Sequence, residues 1–328
     1  MRLDRANRSF LACLGIALPL MAIVLCGALG GVLLPLILAG AQRPGGSSLP
    51  ALAFVALVAV GLGSGARALA RQVLASRRLA RRVRRLASIP PKGLKRAAAH
   101  VGLAGRVVLI DADESFSFVH GVVAPRVVVS RGLLLGASRD ELRAVLAHER
   151  YHVCNLDPLK TVVLRSLAAT LCFIPLLEVL CARYLASREL AADRCAVTAC
   201  GRRPLAGALL KVAREPGWAG LNVAAPLGGG ELLDARVAQL ETGAEPRLGE
   251  LGLGRVLVSI VGVAALAATY LVAVAGFGAG ALRHVTGAGL VDGTLQGGLL
   301  CGAPFAAVGV LAYALIAVCA RGPRASGH

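Results

Sequence analysis

The sequence predicts a multi-pass α-helical membrane protein with a cytoplasmic α+β domain, mainly helical and carrying a small edge sheet. Three observations lead there. First, 56% of the 328 residues are hydrophobic and mean hydropathy is +0.71, too apolar for an ordinary soluble domain. Second, uncharged stretches near both ends of the chain meet or approach the ~20 residues needed to cross a bilayer. Third, residues 98–250 change texture to short β-branched runs, turn-forming residues and an amphipathic helix.

Residues 1–68 supply two expected transmembrane helices. Phe10 to Gly40 carries no charge, with Pro19 and Pro35 as kinks, and Leu49 to Ala66 is shorter but sufficient. Residues 254–321 supply two more, Val256 to Leu282 and Gly293 to Ala320, before a short cytoplasmic tail at 322–328. A GxxxG spacing falls in each span, at Gly27/Gly31, Gly61/Gly65, Gly276/Gly280 and Gly298/Gly302. Such small residues let helix backbones approach closely in lipid. The rival for the first span is a secretory signal cleaved near Ala39-Gly40-Ala41, but the apolar region is about twice the usual ~7–15 residues.

Net charge is +18, and its placement identifies its role. Between Arg67 and Arg96 there are eleven Lys or Arg and no Asp or Glu. Directly after an apolar segment, such a block is the positive-inside signal of a cytoplasmic loop, here a basic linker over residues 69–97. Arg2, Arg5 and Arg8 before the first span and Arg321 and Arg324 after the last agree with it. The expected topology keeps both termini and residues 67–255 cytoplasmic, with a short outer loop around Arg43, in the plasma membrane. The block is amphipathic through Leu69, Val73, Leu79, Val83 and Leu86 and has no aromatic on which a base could stack. Lipid headgroups are therefore its expected contact, and nucleic acid is not an expected partner. The nine cysteines show no CxxC pair and read as small buried hydrophobes. Nothing in the pattern specifies an oligomer.

Within residues 98–250, Arg106–Asp111, Ser115–His120 and Arg126–Ser130 read as short strands separated by turn residues. A helix follows, opened by the capping box Ser138-x-x-Glu141 and ended by Asn155 and Pro158. It contains His148-Glu149-Arg150-Tyr151-His152. Positions i and i+4 share a helix face, so both imidazoles can reach one metal ion, and imidazole is a favoured zinc ligand. Glu149, beside the first histidine, is placed to act as general base on an attacking water. A catalytic zinc wants three protein ligands. Downstream, Ser187-Arg188-Glu189-Leu190-Ala191-Ala192-Asp193-Arg194 sets Glu189 and Asp193 four apart. Glu189 can be the third ligand, and Asp193 can accept from the other ring nitrogen of a ligand histidine, fixing its tautomer.

The phrases HERYH, NLDP and RELAADR resemble the integral-membrane gluzincin zinc metallopeptidases. The nearest likeness is to the antirepressor peptidases of β-lactam-sensor and methicillin-resistance systems, with the heat-shock and CAAX prenyl membrane proteases more distant. FSFVHGVVAPRVVVSRGLL is similar to that group's edge-strand region, and the likeness runs from about Val107 to Leu240, including the phrase beginning at Arg236. The resemblance implies a zincin-like domain holding one Zn2+ per chain on His148, His152 and Glu189, with Glu149 as base and Asp193 orienting. It implies a protein or peptide substrate, such as a cytoplasmic or membrane-associated regulatory repressor. Two departures are expected: no penicillin-binding sensor domain after the last span, and Ala192 where the group carries a cysteine before the aspartate.

Thr161 to Leu185 is apolar but contains Arg165, Glu178 and Arg183. A single crossing there would put Glu189 across the bilayer from His148, so a re-entrant or interfacial hairpin centred near Pro175 is expected instead. For the oxyanion of amide hydrolysis, His120, Tyr151 and Arg194 are the weaker candidates. Asp157 is left between a role behind the metal and a helix cap. Cys154 and Cys195 lack ligand spacing. The competing reading is a catalytically silent membrane scaffold or signalling subunit of the same fold.

Overall fold

The computed structural model describes residues 4–29, 48–212, 229–246 and 252–285. In chain order these form α1 (Arg5–Cys26), α2 (Ser48–Leu86), β1 (Ala87–Ser88), α3 (Lys92–His100), β2 (Val107–Ile110), β3 (Ser117–His120), β4 (Arg126–Ser130), α4 (Arg131–Gly136), α5 (Arg139–Asn155), α6 (Asp157–Thr170), α7 (Pro175–Cys200), α8 (Arg202–Val212), α9 (Gly229–Thr242) and α10 (Leu253–Val285). The chain divides into two compact units, one of residues 1–10, 68–165 and 180–250, the other of residues 11–67, 166–179 and 251–328.

The second unit is apolar. Among the described residues three helical stretches are long and apolar enough to cross a membrane: Arg5–Leu29, Leu49–Leu86 and Leu253–Ala273. The expected span Gly293–Ala320, the outer loop at Arg43, and Gly31, Gly298 and Gly302 lie outside the described residues. The Gly61/Gly65 pair lets α2 and α6 approach closely. A Cβ on Gly61 would stand 2.6 Å from the Thr170 carbonyl oxygen, and one on Gly65 would collide with the Thr170 side chain. Phe54 and Tyr270 pack ring to ring at 5.3 Å, and Ser259 Oγ accepts from the Leu176 N–H at 2.9 Å.

The first unit is built on a four-stranded sheet in the order β1-β2-β4-β3. β2 and β4 are parallel, and β1 and β3 are antiparallel to their neighbours. β4 is central and apolar on both faces: Val127 and Val129 point one way and Val128 the other. Val127, Val129 and the β3 residue Val119 pack on Val145, Leu146 and Val153 of α5. On the opposite face, Val128 and Phe118 pack on Leu79 and Val83 of α2. β3 is the free edge on the side away from β1.

Residues 69–97, the expected basic linker, fold as the second half of α2, β1 and most of α3. α2 runs unbroken for 39 residues, about 58 Å at 1.5 Å per residue against a hydrocarbon core of ~30 Å. Its basic half carries straight on from the apolar half, because alternating Ala, Leu, Val and Arg are all good or tolerable helix formers and no Gly or Pro intervenes after Gly65. Leu79 and Val83 are buried on the sheet while the arginines face outward. Ala87–Ser88 then join the sheet as β1, and Lys92–His100 form α3.

α5 begins as expected. Ser138 Oγ accepts from the Glu141 N–H at 3.2 Å and Glu141 Oε2 accepts from the Ser138 N–H at 2.6 Å, a reciprocal cap. It also ends at Asn155 as expected, and its C-cap Leu156 adopts a left-handed φ of 55°. That single residue turns the chain sharply enough for α6 to start at Asp157, with Pro158 in its first turn, where a missing N–H is harmless. The apolar run Thr161–Leu185 then folds as most of α6, a turn at 171–174 and the start of α7, with Pro175 at the first helical position.

Candidate metal centre

His148 and His152 project from one face of α5, one turn apart, and both are buried, as is Glu149 between them. Their Nε2 atoms lie 3.2 Å apart. Glu189, from α7, brings Oε2 to 3.5 Å from His148 Nε2 and 3.7 Å from His152 Nε2. The three donor atoms lie within 4.8 Å of one another, a group that could hold a metal ion.

Each imidazole is aimed by a carboxylate on its far side. His148 Nδ1 is 2.8 Å from Asp193 Oδ1, and His152 Nδ1 is 2.6 Å from Asp157 Oδ2. With Nδ1 facing a carboxylate, hydrogen-bonded at His152 and in ion-pair contact at His148, each ring turns Nε2 into the shared space, the nitrogen a metal ligand needs free. Both carboxylates are almost wholly buried, Asp193 at 0% and Asp157 at 1% exposure, so each needs compensating partners. Asp193 takes them from Arg236 on α9, whose Nε and NH2 group donate to its two oxygens at 2.7 and 2.8 Å. Asp157 takes them from Tyr184 Oη at 3.0 Å and Asn155 Nδ2 at 2.6 Å, both to Oδ1. Arg188, buried on α7, donates to Glu189 Oε1 at 3.2 Å and to Thr161 Oγ1 at 2.8 Å.

The electrostatics follow. Burial alone would lower the His152 pKa, but the Glu189 charge and the Asp157 hydrogen bond reverse this and raise it to about 10. Burial would also lower that of His148, yet Asp193 and Glu189 raise it. Burial would raise the Glu189 carboxyl, while His152, His148 and Arg188 together hold it well below its ordinary value. Asp193, also opposed by burial, is brought down to about 2 by Arg236 and His148. The site is thus two imidazoles and three carboxylates balanced by the buried guanidinium of Arg188 and the partly buried one of Arg236.

Glu149 stands beside this cluster. Its Oε1 accepts from Ser117 Oγ at 2.8 Å, so the edge strand β3 fixes the carboxylate's direction. The alternation that turns Ser117 toward α5 sends Phe118 and His120 to the other face of the sheet. His120 is therefore not beside the histidine pair; it sits on the α2 side, where burial and then the charges of Arg126 and Arg84 depress its pKa. Of the other two oxyanion candidates, Tyr151 packs edge to face on the His152 ring, centroids 5.7 Å apart, with its hydroxyl turned to another partner. Tyr151 donates from its hydroxyl to Asp4 Oδ2 at 2.5 Å, and Arg194 pairs with Glu245 at 2.6 Å.

Three contributors escape a reading of the sequence by spacing. Arg236 lies 43 residues from the carboxylate it binds and looks like any charged helix residue. Arg188 reads as part of a solvated face but is 2% exposed. Ser117 is one serine in a strand. For Asp157 a signal existed, its place five residues beyond His152, but only the left-handed Leu156 turns it back onto the ring.

Two imidazoles and a carboxylate gathered from two helices, with a further carboxylate alongside, define a metallohydrolase type of centre. The chain belongs to peptidase family M48, whose family model matches residues 74–243. That stretch opens in the basic half of α2 and contains every residue of the cluster. Searches among curated proteins and among solved structures return no match. Membership supports a zincin-type metallopeptidase.

Proposed function

We propose that this chain is a zinc-dependent membrane endopeptidase of the β-lactam-sensor antirepressor type. Its site faces the cytoplasm from the plasma membrane, and it cuts a cytoplasmic or membrane-associated protein such as a regulatory repressor. The observation that carries this is the buried His148, His152 and Glu189 group with Glu149 held beside it. The donor set fits zinc: two imidazoles with Nε2 presented and one carboxylate are among the ligand combinations of catalytic zinc. Zinc supplies Lewis acidity there, polarising a scissile carbonyl and making water nucleophilic near neutral pH.

The chain's own residues do the rest. Asp193 and Asp157 hold the two rings. Ser117 holds one Glu149 oxygen, and the carboxylate takes a proton from the attacking water and returns it to the leaving amide nitrogen. An extended substrate adds to the open edge of β3 at Ser117–His120, its backbone hydrogen bonds giving length without strong sequence preference. The orientation rests on the cations from Arg67 to Arg96. Glu189 reaching the histidines supports a Thr161–Leu185 run whose two ends lie on one side of the bilayer, as a re-entrant or interfacial hairpin.

Glu149→Gln tests the reading. Purified full-length protein should keep one zinc per chain, while cells carrying it lose neo-N-termini that wild-type cells produce. A silent scaffold would leave the two sets of termini identical. Labelling of residue 189 from outside the cell would overturn the topology.

A further inference from the structure

The N-terminal segment Asp4–Phe10 belongs to the same unit as the metal centre, and its contacts converge behind His152. Asp4 caps α1, accepting from the Asn7 N–H at 2.8 Å, and also takes the Tyr151 hydroxyl. Asn7 Oδ1 accepts from Lys160 Nζ at 2.6 Å, and the same ammonium donates to Asn155 Oδ1 at 2.7 Å. Asn155 Nδ2 donates in turn to Asp157 Oδ1 at 2.6 Å, and Asp157 Oδ2 faces His152 Nδ1 at 2.6 Å. A second, apolar route runs in parallel. The Phe10 ring lies 5.7 Å from that of Tyr184, Lys160 Nζ sits 5.3 Å over Phe10, and Tyr184 donates to the same Asp157 oxygen.

We infer that the first turn of α1 is a positioning element of the metal centre: through Asn7, Lys160, Asn155 and Asp157 it sets the aim of His152 and hence how tightly the ion is held. The physical reason is the wholly buried Asp157. A carboxylate with no water around it keeps Oδ2 on the imidazole only while its other oxygen is saturated. Of its two side-chain donors, Asn155 is braced through Lys160 by Asn7 of that first turn, and Tyr184 by Phe10 one turn further on. The inference rests on the reading that His152 ligates zinc. It gives residues 153 positions apart in sequence one shared function.

The same turn provides its own control. Arg5 pairs with Glu245 at 3.4 Å and touches no member of the relay. The experiment is zinc affinity of the detergent-solubilised full chain, by competition with a chromophoric chelator. Asn7→Ala should weaken zinc by about threefold to tenfold, less than the ~10–100-fold of a group directly behind a metal ligand because Asn7 acts through further links. Asn7→Asp, which restores an acceptor for Lys160, should recover wild-type affinity, and Arg5→Ala should stay within about twofold. The inference fails if Asn7→Ala binds like wild type, or if Arg5→Ala loses as much, since the loss would then come from loosened docking alone. If instead the wild-type protein holds no stoichiometric zinc, or His152→Ala binds as well as wild type, the zinc reading itself falls and takes the relay with it.

Discussion

The two arms of the metal centre solve one problem with opposite chemistry. His148 is aimed by Asp193, a carboxylate neutralised by the bidentate guanidinium of Arg236. His152 is aimed by Asp157, a carboxylate satisfied by the neutral donors Tyr184 and Asn155. A buried carboxylate therefore needs saturation of its oxygens, and a countercharge is one way to supply it. The two ways differ in what they leave behind when the carboxylate is neutralised. Neutralising Asp193 removes the carboxylate that Arg236 grips with two hydrogen bonds; neutralising Asp157 leaves two neutral donors on the freed oxygen, with Arg188 and the His152 ring acting on it only through their charge.

That difference predicts the largest effect. Asp193→Asn leaves the partly buried Arg236 guanidinium facing an amide and should destabilise the metal-free protein by about 3 kcal/mol, the low end of the cost of breaking a buried pair. Asp157→Asn leaves a hydroxyl and an amide imperfectly paired and should cost about 1–3 kcal/mol. Thermal unfolding of the solubilised protein measures both. Adding Arg236→Met to Asp193→Asn should recover most of the loss, because the stranded cation is gone. Equal losses for the two single variants would end the distinction between the arms. In zinc affinity the two should instead behave alike, each weaker by about 10–100-fold, since both free a ligand ring.

The second prediction concerns protons. In the metal-free protein His152 has a pKa near 10 and is charged at neutral pH. Its folded value lies above the ordinary 6.5, so its contribution to stability is fully present below about pH 6.5 and is lost as pH rises toward about 10. The metal-free protein should accordingly lose thermal stability across that window. A zinc ion requires the deprotonated ring, so uptake at pH 8 should release close to one proton from this arm, read from the buffer dependence of the binding enthalpy. Affinity should climb with pH until about 10. Removing Asp157, one of the groups that raise the value, should narrow the window from its upper end, and an unchanged window would break the argument.

What a sequence can show of such a site depends on the range over which its causes act. The pairing of His148 with His152, and of Glu189 with Asp193, follows from the period of one helix and is legible at four-residue spacing. The capping box at Ser138 and Glu141 is equally local. His120 is the counterexample. Its strand is visible, but which face it takes depends on pairing with β4 and on which face α5 covers, and a one-residue difference moves a side chain across the sheet. Arg236 and the start of α1 act over 43 and more than 140 residues, where spacing carries no geometry. In the basic half of α2 the apolar positions Leu79 and Val83 are legible, but not the surface they meet, since a lipid headgroup layer and a sheet face suit the same amphipathic pattern.

The smallest effect tests whether the neutral arm is graded or all-or-none. Tyr184→Phe removes one of two side-chain donors to Asp157 Oδ1 while keeping the ring that packs on Phe10. Asn155 remains at 2.6 Å, so the oxygen keeps a partner. The expected cost is about 1 kcal/mol in thermal unfolding, the ordinary net worth of a hydrogen bond. The expected loss of zinc affinity is about threefold, smaller than for Asp157→Asn because the carboxylate stays charged and still faces His152. A loss as large as that of Asp157→Asn would mean the aspartate cannot hold its direction on one donor. The arm would then be a rigid chain in which the Phe10–Tyr184 contact matters as much as the ammonium of Lys160.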